Sequence, residues 1–271
     1  MKNKVTIKDV AREAGVSVAT VSYVVNNRTD MRISDSTRKK VLQVINLLNY
    51  TPNQSAQALA TSRNRTVALY VTPNASVLKR AEQMYLTDAL SDFLHKKNYD
   101  LIYLSNSYTE KYDNADAIIG YDISASYFRQ IGDRNFRPFL ALDCMINDPL
   151  FFEINSDYEQ ISRDAKTYFE SQPYTFAILD TPNEEKKAYI NRIFSNVCYI
   201  RDISELSTLS KQNVLTTDHS LYELLMSQRE VADRLLYKPA ISSQKLEVLF
   251  SCIEHALLRT PLEQHMILVS S

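Results

Sequence analysis

The 271-residue sequence predicts two structures in succession: an all-α helix-turn-helix headpiece, then a larger α/β domain built on mostly parallel, doubly wound sheets. Three observations predict this. In the first fifty residues apolar positions recur at helical spacing around an isolated glycine. From Thr66 onward, short apolar runs alternate with amphipathic stretches. Charge is also divided unevenly between the two parts. Residues 1–65 carry 11 Lys+Arg against 4 Asp+Glu, and the remainder 20 against 28. A basic head on an acidic body points to a polyanion-binding module joined to a part that need not touch the polyanion.

The headpiece begins at "TIKDVAREAG". Thr6, with Asp9 three positions on, resembles a capping box in which Asp replaces the usual Glu. Ile7, Val10, Ala11 and Ala14 then share one helix face, and Gly15 follows where a chain leaves a helix through a left-handed turn. Ser17 is placed to cap a second helix whose apolar residues are Val18, Val21, Val24 and Val25. Two short helices around a tight glycine turn make a helix-turn-helix, and in that motif the start of the second helix enters the major groove. A third helix fits "SDSTRKKVLQVINLLN", capped by Ser34, with Val41, Ile45 and Leu48 closing a three-helix core. Beyond it, "NYTPNQSAQALATSRNR" is polar, and Leu59 is nearly its only large apolar residue. This segment is a linker, or a short helix that forms only against a partner.

The ordered set "VTIKDVAREAGVSVATVSYVVNN…ISDSTRKKVLQVINLLNYTPNQSAQALA" resembles the DNA-binding headpiece and hinge helix of the lactose-repressor (LacI/GalR) family over about residues 5–60. The resemblance implies base-facing positions at Val18, Ala19 and Tyr23. It implies backbone contacts from Thr6, Ser17, Thr20, Ser22, Asn26, Ser34, Thr37, Tyr50 and Asn53, and minor-groove hinge positions at Ala56 and Leu59. The chemistry agrees: short hydroxyls and helix N-terminal amides suit phosphate oxygens, and an apolar wedge at Leu59 suits a kinked base step. For each hydroxyl taken alone, helix capping is the commoner role. Tyr23 stands where the family often has arginine, so direct readout leans on apolar contact and one phenol. The loop "NNRTDMRIS" adds Arg28 and Arg32 as phosphate candidates.

In the larger part, "TVALYV", "DLIYLS", "DAIIGY", "PFLALD", "FFEIN", "YTFAILD", "VCYI" and "NVLTT" read as strands. The stretches "VLKRAEQMYLTDALSDFLHKK", "DYEQISRDAKTYFES" and "NEEKKAYINRIFS" read as helices. The order is similar to the family's effector domain, an α/β two-lobed, periplasmic-binding-protein-like domain with a cleft at the strand C-termini. The division expected is 1–50 headpiece, 51–65 hinge helix and linker, and 66–271 effector-binding and dimerisation domain, its second lobe at roughly 156–245. This half is shorter than the family's usual domain. The family's sugar-binding arginine has no match, with Lys186 or Lys187 nearby, and the strand after the second-lobe "ND" helix is not recognisable. "TTD", Thr216 to Asp218, is the nearest relic of that "ND". Tyr121, Asp143, Asp180, Lys186 and Asp218 are the cleft candidates, although strand-end capping is the commoner role for such residues.

No apolar run approaches the ~20 residues that span a bilayer, and "MKNKVTIKDV" lacks the apolar core of an export signal. Cys144, Cys198 and Cys252 form no CxxC pair and are read as buried thiols of a reducing cytoplasm. The sequence has no GxSxG, P-loop, HExxH or GxGxxG, and its four histidines are scattered. The expectation is therefore a cytoplasmic transcription regulator, a repressor, acting without a cofactor and not as an enzyme. It would bind a pseudopalindromic DNA operator as a homodimer, make no use of a membrane, and leave room for a sugar-like small-molecule effector or a protein coregulator. The alternative is a small-molecule sensor or coregulated factor whose effector pocket is degenerate.

Overall fold

Gly15 has a φ of 63°, and this left-handed turn lets two eight-residue helices meet at one small core. The computed structural model describes residues 5–25, 31–50, 63–73, 76–104, 111–227, 232–260 and 264–270. The chain divides into two compact units, Met1–Asn64 and Arg65–Ser271.

In the first unit, α1 (Ile7–Ala14) opens where the Thr6 amide and hydroxyl both donate to Asp9 Oδ2, at 3.0 and 2.7 Å. The shorter acid thus reaches back as a glutamate would. α2 (Val18–Val25) starts at Ser17, whose Oγ accepts from the Thr20 amide at 3.0 Å. α3 (Asp35–Leu47) starts at Ser34, which accepts from the Thr37 amide at 3.2 Å. The core is made of small residues: Val10, Ala11, Ala14, Val21, Val24, Val41 and Val44 are buried. On α3 the inner stripe is Val41 and Val44, while Ile45 and Leu48 are only partly covered. Valines one turn apart fill a core this narrow, which moves the contact line off the expected Val41–Ile45–Leu48 face.

The second unit carries two all-parallel sheets. The first holds β1 (Thr66–Val71), β2 (Asp100–Leu104), β3 (Ala117–Tyr121), β4 (Phe139–Leu142), β5 (Phe152–Ser156) and β10 (Met266–Val269), in the order β2-β1-β3-β4-β5-β10. The second holds β6 (Thr175–Leu179), β7 (Val197–Ile200), β8 (Gln212–Thr216) and β9 (Ala232–Tyr237), in the order β7-β6-β8-β9. Every expected strand run is present. β9 was not legible because Asp233 and Arg234 interrupt its apolar run; it is an edge strand, where charge is tolerated.

Side chains alternate along β1 as the pleat requires. Val67, Leu69 and Val71 join α4 (Val77–Lys96) and α9 (Ser243–Leu258) on one face. Ala68 and Tyr70 join α5 (Ala125–Gly132) on the other. In the second sheet, Phe176 and Ile178 pack under α6 (Tyr158–Tyr168) and α7 (Glu184–Ile193). Ala177 and Leu179 pack against a 3-10 segment (Ile203–Leu209) and α8 (His219–Ser227). Leu78 of α4 also enters this last cluster, so the lobes share apolar contact. Cys144 and Cys252 are buried, whereas Cys198 on β7 is half-buried, a correction to the reading of all three as interior thiols.

Gly120, in the middle of β3, leaves a methyl group tight against its neighbours. A Cβ there would lie 3.0 Å from Ile123, 3.1 Å from Phe139 and 3.2 Å from Phe128. Gly120→Ala is expected to cost about 1–3 kcal/mol, read as a lower urea midpoint for the α/β unit with an unchanged slope.

Candidate nucleic-acid interface and interlobe cleft

In the headpiece, the first turn of α2 stands outside the core. Ser17, Val18 and Ala19 are exposed, Val18 at 41%, while Val21 and Val24 on the opposite side are buried. Thr20, Ser22 and Tyr23 are half-buried. The backbone-contact candidates are engaged locally. Ser17 and Thr20 hydroxyls lie 2.9 Å apart, Ser34 and Thr37 hydroxyls 2.8 Å, and Thr6 is held by Asp9. Tyr50 is half-buried against the three-helix core, and burial pushes its phenol pKa up. Arg32, Lys39 and Lys40 are exposed. Asn26, Arg28, Asn53, Ala56 and Leu59, with the hinge helix, lie outside the described residues.

The cleft follows from topology. In each sheet the order reverses beside the first strand, β1/β3 and β6/β8, and the carboxyl ends of the strands at those points open a crevice. Asp122 and Asp143 leave β3 and β4 with φ of 48° and 52°, left-handed positions that aspartate tolerates. From the second lobe, Thr181 and Asn183 follow β6, Asn183 capping α7 through the Lys186 amide at 2.8 Å.

Asp122 is the hub. Its side chain is 1% exposed and is paired with Lys79 of α4 and, at 3.3 Å, with Lys186 of α7. It also accepts from the Thr181 hydroxyl at 2.7 Å. Burial alone would raise its pKa, but the two ammonium groups and the hydrogen bonds outweigh burial and hold it down at about 2. Asn183 Nδ2 donates to the Ile123 and Met145 carbonyls at 3.0 and 3.1 Å, and its Oδ1 accepts from the Met145 amide at 3.2 Å. A second buried pair joins Asp143 to Lys245 of α9, which also donates to Ser156 Oγ at 2.9 Å. Burial pushes the Lys245 pKa down against the pull of Asp143. Burial likewise opposes charge on Lys186, yet Tyr158, Asp122, Asp143 and Asp218 together raise its pKa well above the usual lysine value.

Glu82, one turn along α4 from Lys79, crosses to the other lobe. Its carboxylate accepts from the His219 amide at 3.0 Å, the Ser220 amide at 2.8 Å and the Ser220 hydroxyl at 2.6 Å. These are first-turn donors of α8, which have no partner within a helix. Asp218 stands just before that turn and accepts from the Leu179 amide at 2.7 Å. Burial first, and then the Glu82 charge, push its pKa up to about 7, against Lys79, the Leu179 amide and Lys186.

Of the cleft candidates, Tyr121, Asp143, Lys186 and Asp218 converge around this buried cluster. Burial and the carboxylates of Glu82, Asp122, Asp143 and Asp218 raise the Tyr121 phenol far above its ordinary range. Asp180 lies apart, bound by Lys187 at 3.1 Å and Arg201 at 2.8 Å, on the wall of a polar cavity of about 480 Å³. That cavity is also lined by Ser76, Lys79 and Thr181. Lys79, Glu82, Asp122, Asn183 and Lys245 were missed by the sequence reading. A signal existed for the helical ones. Lys79, Glu82 and Gln83 continue the Leu86–Leu90–Leu94 stripe of α4, and Lys245 continues Leu249 and Cys252 on α9, so charge sits on a buried face.

Residues 6–53 match the family model described as bacterial regulatory proteins, lacI family. The chain is similar to a Bacillus subtilis protein described as "Probable HTH-type transcriptional repressor ExuR", with 29% identity over 71% of this chain and 61% of that protein. It is also similar to catabolite control protein A of Priestia megaterium, with 46% identity over 38% of this chain and 29% of that one. The chain thus spans less than two thirds of the length of these relatives. Among solved structures, the lac repressor bound to ONPG in its repressed state superposes with a TM-score of 0.61 at 16% identity, over 98% of this chain and 97% of that one. The Cra transcriptional dual regulator of Pseudomonas putida in complex with fructose 1-phosphate superposes at 0.50 with 13% identity, over 76% of this chain and 96% of that one. These two likenesses concern the fold.

The cleft's titration has a sign. An unfolded Asp218 has the ordinary value of 3.8 and the folded one about 7, so the folded protein binds this proton more tightly. Its contribution to stability is full below pH 3.8 and is lost as pH rises through 7. Asp122 acts oppositely: its contribution is present above pH 3.8 and is lost as pH falls toward 2. Asp218→Asn, which keeps an acceptor for the Leu179 amide, is therefore expected to gain thermal stability relative to the parent between pH 5 and 8. Melting curves across that range check it, and equal slopes for the two proteins would contradict it.

Proposed function

We propose that this chain is a member of the LacI family of bacterial regulatory proteins and a sequence-specific DNA-binding transcription regulator. It represses by binding a pseudopalindromic operator as a homodimer in the cytoplasm. One observation carries the reading: the first turn of α2 projects Ser17, Val18 and Ala19 outward from a core that buries only the opposite side of that helix. This is the end of a helix-turn-helix that meets base edges. The match of residues 6–53 to the family model supports it, as do the transcription regulators among the relatives.

In this reading Val18, Ala19 and Tyr23 face bases. Thr6, Ser17, Thr20, Ser22, Asn26, Ser34, Thr37, Tyr50 and Asn53 contact the backbone, and Ala56 and Leu59 enter the minor groove. The helix face offers hydroxyls, amides and methyl groups, while nearby exposed Lys8, Arg12, Arg32, Lys39 and Lys40 attract the phosphates. The α/β unit supplies dimerisation and any response to a small molecule. The reading gives the chain no catalytic role.

Selection of duplexes from a random pool is expected to return a palindromic site. Recovery of no such site would overturn the reading. On the selected site Leu59→Ala should lose DNA bending before it loses binding, read by the mobility of permuted fragments. Tyr23→Phe should relax base preference modestly, by about 1 kcal/mol at one position of each half-site, measured by competition with single-base variants.

A further inference from the structure

A small ligand that bridges two lobes does so by offering each of them hydrogen-bond and charge partners. In this chain the chain itself offers those partners. The first lobe gives Asp122, the Ile123 and Met145 carbonyls, and Lys79 and Glu82 from α4. The second gives Lys186, Thr181, Asn183 and the start of α8. The groups meet across the crevice at 2.6–3.3 Å. The side chains of Asp122 and Lys186 are 1% and 7% exposed, and Glu82 and Asn183 are buried as residues. A buried carboxylate stripped of water is tolerated only with its countercharges in place, so moving the lobes apart would strand Asp122 or expose the whole cluster to solvent.

We propose that this interlobe cluster is an internal clasp: the effector unit holds its lobes together without a small-molecule ligand, and Glu82 closes the clasp by capping α8 from the opposite lobe. Glu82 is suited to this because it accepts from the first two amides of α8, while Asp218, just before that helix, accepts from the Leu179 amide of its own lobe. Lys79 and Glu82 project from the same face of α4, so one helix delivers both a cation to its own lobe's Asp122 and an anion to the second lobe. The polar cavity beside Asp180 lies at the rim of this cluster and leaves the buried contacts complete. The inference leans on the proposed function only in naming this an effector unit. Its test uses no DNA, so the two readings fail separately.

The test is hydrogen exchange by mass spectrometry on the full chain, dialysed free of small molecules. The peptide carrying His219 and Ser220 reports the clasp, and peptides from β1 and β6 report the two cores. In the parent protein the α8 peptide is expected to be protected well beyond an unstructured amide. In Glu82→Ala its exchange should rise by at least about tenfold while β1 and β6 remain protected. Should Glu82→Ala fail to fold, Ser220→Ala removes the hydroxyl bond to Glu82 from a half-buried position and should raise exchange of the same peptide by a smaller factor. Unprotected amides at the start of α8 in the ligand-free parent would overturn the proposal. So would protection unchanged in the folded variant.

Discussion

The carboxylate of Asp122 sits where both lobes converge, almost wholly out of water, and the α/β unit is arranged around that fact. An ion in that position is costly by several kcal/mol unless matched, and its matches come from different parts of the chain: Lys79 follows β1, Lys186 follows β6. The charge therefore ties segments more than a hundred residues apart in sequence. Burial first, and then the Glu82 charge, make Asp218 retain its proton more readily than an exposed aspartate, even with Lys79 and Lys186 nearby. The network is polar throughout, so its stability rests on each partner finding its place.

The headpiece solves a different problem. Among the described residues the fully buried part of its core is valine and alanine, and helices of eight residues are marginal alone. Ser17 and Ser34 compensate by each accepting from a first-turn amide, a contribution of about 1 kcal/mol each. These are residues to which DNA-backbone contact is also ascribed. A hydroxyl that accepts from an amide still has a proton to give, so capping and phosphate contact are compatible in chemistry.

The fold was legible where a period or a turn residue carried it. Gly15, Ser17 and Ser34 marked helix ends because only certain side chains suit those positions, and the apolar strand runs stood out because a parallel sheet is covered on both faces. β9 and the short α5 were harder, one because edge strands accept charge, the other because eight residues hold barely two turns. The cleft was legible in part. Asp143 and Asp218 lie at strand ends and invite attention, whereas Asp122 follows a tyrosine in an ordinary-looking turn. Its importance comes from Lys79 and Lys186, which sequence separation conceals. Pairings of this kind are made by topology, and no local pattern announces them.

The strand order also sets a schedule for the chain as it is made. The second sheet with α6, α7 and α8 is drawn from one continuous stretch, Tyr158 to Tyr237, and can close on itself as soon as that stretch is available. The first sheet cannot. Its face over Leu69, Ile119 and Leu140 is completed by α9, and its edge beside β5 by β10, both of which follow the whole second lobe in sequence. During synthesis the earlier-made lobe is thus the later to be finished, with apolar surface and a strand edge open until α9 and β10 arrive. The ribosome delivers the guest before it has finished building the host.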